Sequence, residues 1–234
     1  MHILLWAVLG VLAGAVANHV ADRLPPHLGL RPAPQCPACG TAYAPRQWVA
    51  LLAWAAHDLR CHKCGVPLAG RRRLFEVWLA VLFAVLAWRH GPTWWLVAAS
   101  FHATVLSIVA ITDLETRIVP NLAVLPAMIL SLASTALACP GCTATMLLGG
   151  AVGFGLFFLL WAIYPRGMGF GDVKLAGYVG LIAGFPRVLP CLLAAILAGG
   201  LAALVLLISR RVGRRTYIPY APFLAFGGAL ALFL

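Results

Sequence analysis

The sequence predicts an all-α polytopic membrane protein, with about eight transmembrane helices and a cytoplasmic zinc-knuckle loop between the first two. Three observations support this fold class. The chain is 63% apolar and only 10% charged, whereas about a quarter of the residues in a soluble domain are charged. Its mean hydropathy is +0.96, and its apolar residues form separate segments. The longest polar stretch contains two Cys-x-x-Cys pairs.

Eight apolar segments define the predicted helices, and they lie at 2–21, 74–89, 94–111, 122–138, 145–164, 173–185, 190–209 and 218–233. Several are shorter than the roughly 20 residues that an ideal span needs. The first segment is similar in length to a signal peptide. Because no Lys or Arg precedes its apolar run and several follow it, we expect a retained helix with its N-terminus outside.

The distribution of basic residues predicts the orientation of these helices. If every segment crosses the membrane, 15 of the 17 Lys and Arg residues fall on the side of the 22–73 loop, and only Arg89 and Arg187 fall on the other. The positive-inside rule then places that loop in the cytoplasm and both termini outside. The net charge of +11 therefore mainly reflects the basic residues that orient the helices in the membrane. Anionic membrane lipids can neutralise it, and no nucleic-acid partner is expected.

Composition also predicts three regions. Residues 1–21 form the first transmembrane helix, residues 22–73 a polar cytoplasmic loop, and residues 74–234 a seven-helix membrane core.

The cytoplasmic loop contains Cys36, Cys39, Cys61 and Cys64 as two Cys-x-x-Cys pairs, each followed by glycine. Such a turn brings two thiolates together, and two turns supply the four soft ligands of a structural zinc ion. Disulfides are the weaker interpretation in a reducing compartment. A third pair, Cys139 and Cys142, lies in an outward loop, where either a disulfide or two free thiols are possible.

Several other features of the N-terminal region have more than one interpretation. The apolar stretch 48–56 is too short to span and either lies on the membrane surface or packs on the zinc knuckle. Asn18, next to the end of the first helix, fits an interfacial cap. Glu76 follows three arginines, so it either forms an interfacial ion pair with one of them or has a functional role.

Asp113 and Asp172 are the candidate catalytic residues. The chain has only six acidic residues, and ionisable groups at membrane segments are costly and often functional. The predicted topology places both aspartates at the cytoplasmic face, at the ends of different helices. Paired carboxylates can share one proton and activate water against a peptide bond, as in aspartic proteases. The alternative is that both merely cap their helices.

These residues and their contexts resemble the bacterial prepilin peptidases, or type IV leader peptidases, a family of GxGD membrane aspartic proteases. The segment 169–175 is similar to the GxGD motif, and Asp113 with the Ile-Val-Pro-Asn sequence at 118–121 is similar to the family's first aspartate region. The paired cysteine knuckles, the polar exit from the first helix and Glu76 resemble the N-terminal region of the family.

The resemblance implies cleavage of the leader of type IV prepilins or type II secretion pseudopilins, at the cytoplasmic face of the bacterial inner membrane. The flexible Gly169 and Gly171 would let the substrate backbone approach Asp172. It also implies N-methylation of the new N-terminus with S-adenosylmethionine, in a region that includes Asn18, Arg23 and Glu76. Two stretches of this region, 46–49 and 71–73, depart from the family pattern, so peptidase activity is the better supported of the two.

Two other functions fit parts of the sequence. A proton-coupled transporter would also carry membrane aspartates, but these are expected near the bilayer midplane and within internal repeats, neither of which the sequence shows. A non-catalytic assembly factor would use the zinc loop for docking and would tolerate loss of either aspartate.

Overall fold

A computed structural model describes residues 1–24, 34–165, 167–209 and 219–234. The helices of this part are α1 (His2–Ala21), α2 (Ala50–Ala55), α3 (Gly70–His90), α4 (Trp94–Thr116), α5 (Asn121–Ala138), α6 (Thr143–Ile163), α7 (Phe170–Ala183), α8 (Val188–Ile208) and α9 (Ala221–Ala231). Short 3₁₀ turns lie at Pro45–Gln47 and Pro140–Cys142. Within these residues there is no β-strand, only two isolated bridges in the loop between α1 and α3.

The prediction of an all-helical polytopic membrane protein is confirmed. Each of the eight predicted apolar segments contains a helix in its described residues. Five helices of the described part are long and apolar enough to cross a membrane, namely α1, α4, α5, α6 and α8. The other three differ for physical reasons. Helix α3 begins with charged residues, α7 has 14 residues and α9 has 11.

Two helix boundaries differ from the prediction at the residues of most interest. The third predicted segment ends at 111, but α4 continues to Thr116, so Asp113 is inside the helix and not in the following loop. The sixth begins at Phe170 instead of residue 173, so Asp172 lies in the first turn of α7. Hydropathy places helix ends where polar residues begin, whereas the backbone hydrogen bonds of both helices continue through these aspartates.

Part of the charge pattern behind the predicted orientation lies outside the described residues. This holds for Arg31, Arg166, Arg210, Arg211, Arg214 and Arg215. The orientation therefore stays a prediction.

The chain divides into two compact units, an N-terminal unit (Met1–Ile108) and a C-terminal unit (Val109–Leu234). In the N-terminal unit α1 packs closely along α3, because two glycines of α1 leave room for the α3 backbone. A Cβ atom at Gly10 would lie 2.5 Å from the carbonyl oxygen of Leu79, and one at Gly14 would lie 2.6 Å from Cα of Glu76. Small residues at such spacing allow the backbones of membrane helices to approach closely.

Helix α7 is the central helix of the C-terminal unit. Ten of its 14 residues are buried, and it packs against α5, α6, α8 and α9. Its contact with α6 is again made through glycine. A Cβ atom at Gly153 would lie 2.4 Å from the carbonyl oxygen of Ala176, and one at Gly180 would lie 2.2 Å from that of Gly149. This contact fixes the position of the helix that carries Asp172.

Candidate active site and metal centre

Asp113 is buried near the end of α4, with 3% of its surface exposed. Its Oδ2 accepts a hydrogen bond of 3.1 Å from the backbone N–H of Ala221, the first residue of α9. A carboxylate is well placed there, because the N-terminus of a helix carries free N–H groups and a partial positive charge. Arg117, four residues further along, adds a positive charge that acts on Asp113. Asp113 is thus bound to another helix and does not cap its own.

Asp172 is buried to the same extent, also with 3% of its surface exposed. It is the third residue of α7, and its carboxylate forms a hydrogen bond with the backbone of Gly169, the N-cap of that helix. The charge of Asp113 acts on Asp172, and the charge of Asp172 acts in turn on Tyr220. The fold therefore brings the two predicted catalytic aspartates into one electrostatic environment, although 58 residues separate them along the chain.

The glycines of the GxGD sequence have different structural surroundings. Gly169 precedes α7 with extended backbone angles, φ −75° and ψ 143°. A Cβ atom at Gly171 would lie 2.7 Å from Cβ of Val119. Gly171 therefore lets the Ile-Val-Pro-Asn segment pack against the start of α7, next to Asp172. A role for Gly169 and Gly171 in substrate approach stays a prediction.

A second contact joins the same two segments. Nζ of Lys174 donates a hydrogen bond of 2.9 Å to Oδ1 of Asn121, and the ammonium group lies 5.2 Å from the centre of the Phe170 ring. Asn121 is the first residue of α5. Lys174 thus links α5 to α7 at the exposed edge of the aspartate site.

The four cysteines of the loop between α1 and α3 form one cluster, whose sulfur atoms all lie within 4.8 Å of one another. The Sγ atoms of Cys36 and Cys64 are 3.5 Å apart, and those of Cys39 and Cys61 are 3.6 Å apart. A tetrahedral centre with Zn–S bonds of about 2.3 Å separates its sulfur atoms by about 3.8 Å. The cluster therefore has the ligands and the dimensions to hold a metal ion.

Both knuckles have the same local structure. The N–H of Gly40 donates to the carbonyl of Cys36, and the N–H of Gly65 donates to that of Cys61, each over 2.9 Å. The φ angles are +69° at Gly40 and +71° at Gly65, a conformation that glycine adopts without steric cost. The two glycines therefore supply the left-handed backbone conformation that these turns need.

The Cys39 thiol is the one most readily ionised by its surroundings. Its Sγ lies 3.4 Å from Oγ1 of Thr41. A hydrogen bond from this hydroxyl, with a second from the Thr41 backbone, lowers the pKa of Cys39 to about 6. A thiolate at neutral pH is the form that binds a metal ion.

Gln47 was not singled out by sequence reasoning, yet it joins the two knuckles. Its buried side chain accepts from the N–H of Ala44 at 3.3 Å, and its Nε2 donates to Oδ1 of Asp58 and to the carbonyl of Arg60, both at 2.9 Å. A single glutamine in a loop has no pattern that would have indicated this role.

A network of polar side chains links α1 to α3 in the N-terminal unit. Asp22 binds the guanidinium groups of Arg71 and Arg72, the latter at 2.5 Å. Arg71 also donates to Oδ1 of Asn18 at 3.0 Å, and Nδ2 of Asn18 donates to the carbonyls of Gly14 and Arg72 at 2.9 and 3.1 Å. Asn18 is thus more than an interfacial cap, because it joins the two helices.

Glu76 is bonded to the protein backbone, and the charge of Arg72 also acts on it. Its carboxylate accepts hydrogen bonds from the backbone N–H groups of Ala50 at 2.7 Å and Leu51 at 2.8 Å, the first two residues of α2. It therefore holds α2 against α3 through main-chain amides. Arg23 lies in the turn after α1, where its N–H donates to the carbonyl of Val20. The methyl-transfer role of Asn18, Arg23 and Glu76 stays a prediction.

Cys139 and Cys142 form a disulfide at the turn between α5 and α6. Of the two possibilities that the sequence left open, the structure contains the disulfide.

Comparison with known proteins gives consistent matches over most of the chain. Residues 100–204, which contain both aspartates, match the type IV leader peptidase family. Residues 8–90, which contain the four cysteines, match the bacterial peptidase A24 N-terminal domain.

Relatives from several bacteria carry the name prepilin leader peptidase/N-methyltransferase. The protein of Pseudomonas putida is 31% identical over 98% of this chain and 90% of its own length. That of Bacillus subtilis is 29% identical over 96% of this chain and 91% of its own length. That of Myxococcus xanthus is 35% identical over 89% of this chain, which spans 64% of that longer relative. No solved structure matches the chain.

Proposed function

Since this chain belongs to the type IV leader peptidase family, we propose that it is a membrane aspartic endopeptidase that cleaves the leader of type IV prepilins or pseudopilins. One observation carries the proposal: two aspartates on different helices, α4 and α7, are buried, and the charge of Asp113 acts on Asp172. Neither of the other functions considered, transport or non-catalytic assembly, is favoured by the family.

In the proposed mechanism Asp113 and Asp172 hold one proton between them, because two neighbouring carboxylates do not both ionise easily. The ionised carboxylate takes a proton from water, whose oxygen attacks the carbonyl carbon of the scissile peptide bond. The protonated carboxyl gives its proton to the carbonyl oxygen. When the tetrahedral intermediate collapses, the C–N bond breaks and the leaving amine takes a proton from the pair.

The proposal assigns the site to the cytoplasmic face of the bacterial inner membrane, with both termini outside. The unequal distribution of Lys and Arg supports this orientation. The proposal also includes the division of the chain into a first helix at 1–21, a loop at 22–73 and a protease core at 74–234.

The cysteine cluster is proposed to hold a structural Zn²⁺, since four thiolates at tetrahedral spacing leave no open coordination position. N-methylation of the new N-terminus with S-adenosylmethionine as methyl donor is proposed from the family relationship. Asn18 and Glu76 already bind groups of the protein itself. In this proposal the region of Asn18, Arg23 and Glu76 serves methyl transfer, and these bonds hold Asn18 and Glu76 in place.

The peptidase is tested by mass spectrometry of the N-terminus of a co-expressed prepilin, which reads cleavage and methylation together. Asp113→Asn and Asp172→Asn should each abolish cleavage, because an amide cannot take part in the proton transfers. Glu115→Gln is the matched control, since Glu115 is an exposed acid on the same helix as Asp113, and it should cleave normally. Full cleavage by either Asp variant would refute the mechanism.

The metal centre is tested separately by measuring bound zinc in the purified protein. Cys36→Ser should lose the zinc, because the cluster then lacks one of its four ligands. Cys191→Ala removes a thiol in α8, remote in sequence from the cluster, and should retain the metal. Equal zinc content in both variants would rule out the cluster as the metal site. That result would leave the peptidase proposal untouched, because the aspartate experiment tests it separately.

A further inference from the structure

Helix α2 is apolar around its whole circumference. The sequence from Val49 to Ala56 contains no polar side chain. Ala50 and Ala53 are buried, at 1% and 0% exposure, and Ala53 packs in the core of the cysteine cluster. The expectation that this stretch packs on the zinc knuckle is therefore correct for one face of the helix.

The rest of the surface of this segment is exposed and equally apolar. We define the outer face as three exposed side chains of this segment, Trp48 just before α2 and Leu52 and Trp54 within it, which are 43%, 59% and 57% exposed. A helix in contact with water usually presents polar residues on its outer side, whereas one that is apolar all round is covered all round. The described residues of the N-terminal unit cover only the inner side.

The hydrogen bonds of Glu76 fix the level of α2 along α3. Glu76 lies six residues into α3, about 9 Å along the helix axis at 1.5 Å per residue, and its carboxylate holds the first two amides of α2. The exposed apolar surface of α3 begins at the same level, with Leu74 and Trp78 at 66% and 41% exposure. The outer face therefore lies level with the start of the exposed apolar surface of α3.

Charge and residue type select a lipid surface as the partner. Between residues 22 and 76, the described part of the chain holds seven Lys and Arg against three acids. A zinc ion with four thiolates would lower this positive excess without reversing it. Anionic lipid headgroups attract such a segment, and tryptophan is enriched at the boundary between headgroups and acyl chains.

We infer that the outer face of α2 inserts into the lipid interface and seats the cysteine-knuckle loop on the membrane surface. This goes beyond the proposed peptidase and does not depend on it. Insertion to the depth of an interfacial helix, about 5–10 Å, would bury the exposed parts of the three side chains.

The test is tryptophan quenching by brominated lipids, with the full chain reconstituted into vesicles of phosphatidylcholine and phosphatidylglycerol. The chain has eight tryptophans, so the emission of Trp48 and Trp54 is obtained as the difference between the unaltered protein and the double variant Trp48→Phe, Trp54→Phe. Phenylalanine keeps the site apolar, and unchanged zinc content verifies that the loop is intact. Trp88→Phe, which removes an indole that is 73% exposed on α3, shows how a lipid-facing tryptophan responds.

We expect the emission of the pair to fall in brominated vesicles without any substrate, and to fall more with bromine near the headgroups than with bromine deep in the chains. No loss of emission in either vesicle would overturn the inference. Shielding of the pair from a water-soluble quencher only after prepilin is added would also overturn it, because the outer face would then bind the substrate.

Discussion

Both units of the chain contain buried or half-buried acidic side chains, but the groups that bind these acids differ between the units. In the N-terminal unit Asp22 binds two arginines, and Glu76 binds two backbone amides through its two oxygens. In the C-terminal unit Asp113 accepts one amide hydrogen bond, and its charge acts on Asp172. Fully bonded acids hold a structure together, whereas two carboxylates that act on each other keep a proton available for chemistry.

The difference shows why burial alone does not identify a catalytic acid. Glu76 is 1% exposed, even less than the 3% of Asp113 and Asp172. Its partners are N–H groups of α2, which stabilise the charged form and leave both oxygens occupied. In this molecule the partners of a buried carboxylate, and not its depth, therefore distinguish Glu76 from the two proposed catalytic aspartates.

The largest effect is expected on the rate of prepilin cleavage, from a change at the contact between α6 and α7 that positions Asp172. Gly153→Ala would place a methyl group 2.4 Å from the carbonyl oxygen of Ala176, which forces α6 and α7 apart. A displacement of about 1 Å at a catalytic group can cost about 100-fold in rate, and we expect a loss of that order in prepilin cleavage.

The control for this variant is Gly155→Ala, two residues further along the same helix, where a Cβ atom meets nothing within 4 Å. It should cleave at the normal rate. If both variants cleave equally well, the close contact of α6 with α7 does not set the geometry of the aspartate pair.

A smaller effect is expected at Glu76, and it should appear as a loss of stability. Glu76→Gln replaces one acceptor oxygen by an NH₂ group that faces a backbone N–H, which leaves a buried group unpaired at a cost of about 1–3 kcal/mol. Thermal unfolding should therefore occur at lower temperature, while prepilin cleavage by the folded protein is retained.

The control for Glu76→Gln is Glu115→Gln, the same substitution at an exposed glutamate. It should not change the unfolding temperature. A Glu76→Gln variant that unfolds normally but fails to cleave or methylate pilin would give Glu76 a chemical role, and the contrast between the two units would no longer hold.

The smallest effect should come from Lys174→Met. This change removes one exposed hydrogen bond to Asn121 and the contact of the ammonium group with the Phe170 ring. Exposed interactions of this kind contribute up to about 1 kcal/mol. Chemical denaturation should show a decrease in the free energy of unfolding within that limit. A total loss of cleavage at unchanged stability would instead place Lys174 among the residues that act on the substrate.

The sequence predicts most of the features that depend on residues close together along the chain. Cysteine spacing predicts the metal-ligand cluster, because two identical turns determine it. The scarcity of acids together with the periodic arrangement of apolar segments selects Asp113 and Asp172. A family resemblance adds the reaction.

The features that the sequence does not predict depend on contacts between distant residues. Asp113 lies inside α4 and binds the amide of Ala221, 108 residues away. Glu76 binds backbone groups, which no side-chain pattern indicates. The close packing of α6 on α7 depends on which carbonyl group faces each glycine. Hydropathy contains none of this information.

The hydrogen bond from Ala221 to Asp113 also has a consequence for biosynthesis. The segment that matches the peptidase family ends at residue 204, but the residue that binds Asp113 comes later, at the start of α9. While the chain is being made, both aspartates leave the ribosome long before that helix does. The aspartate site is therefore completed only after α9 has been synthesised and packed, and a shorter nascent chain lacks the partner of its first aspartate.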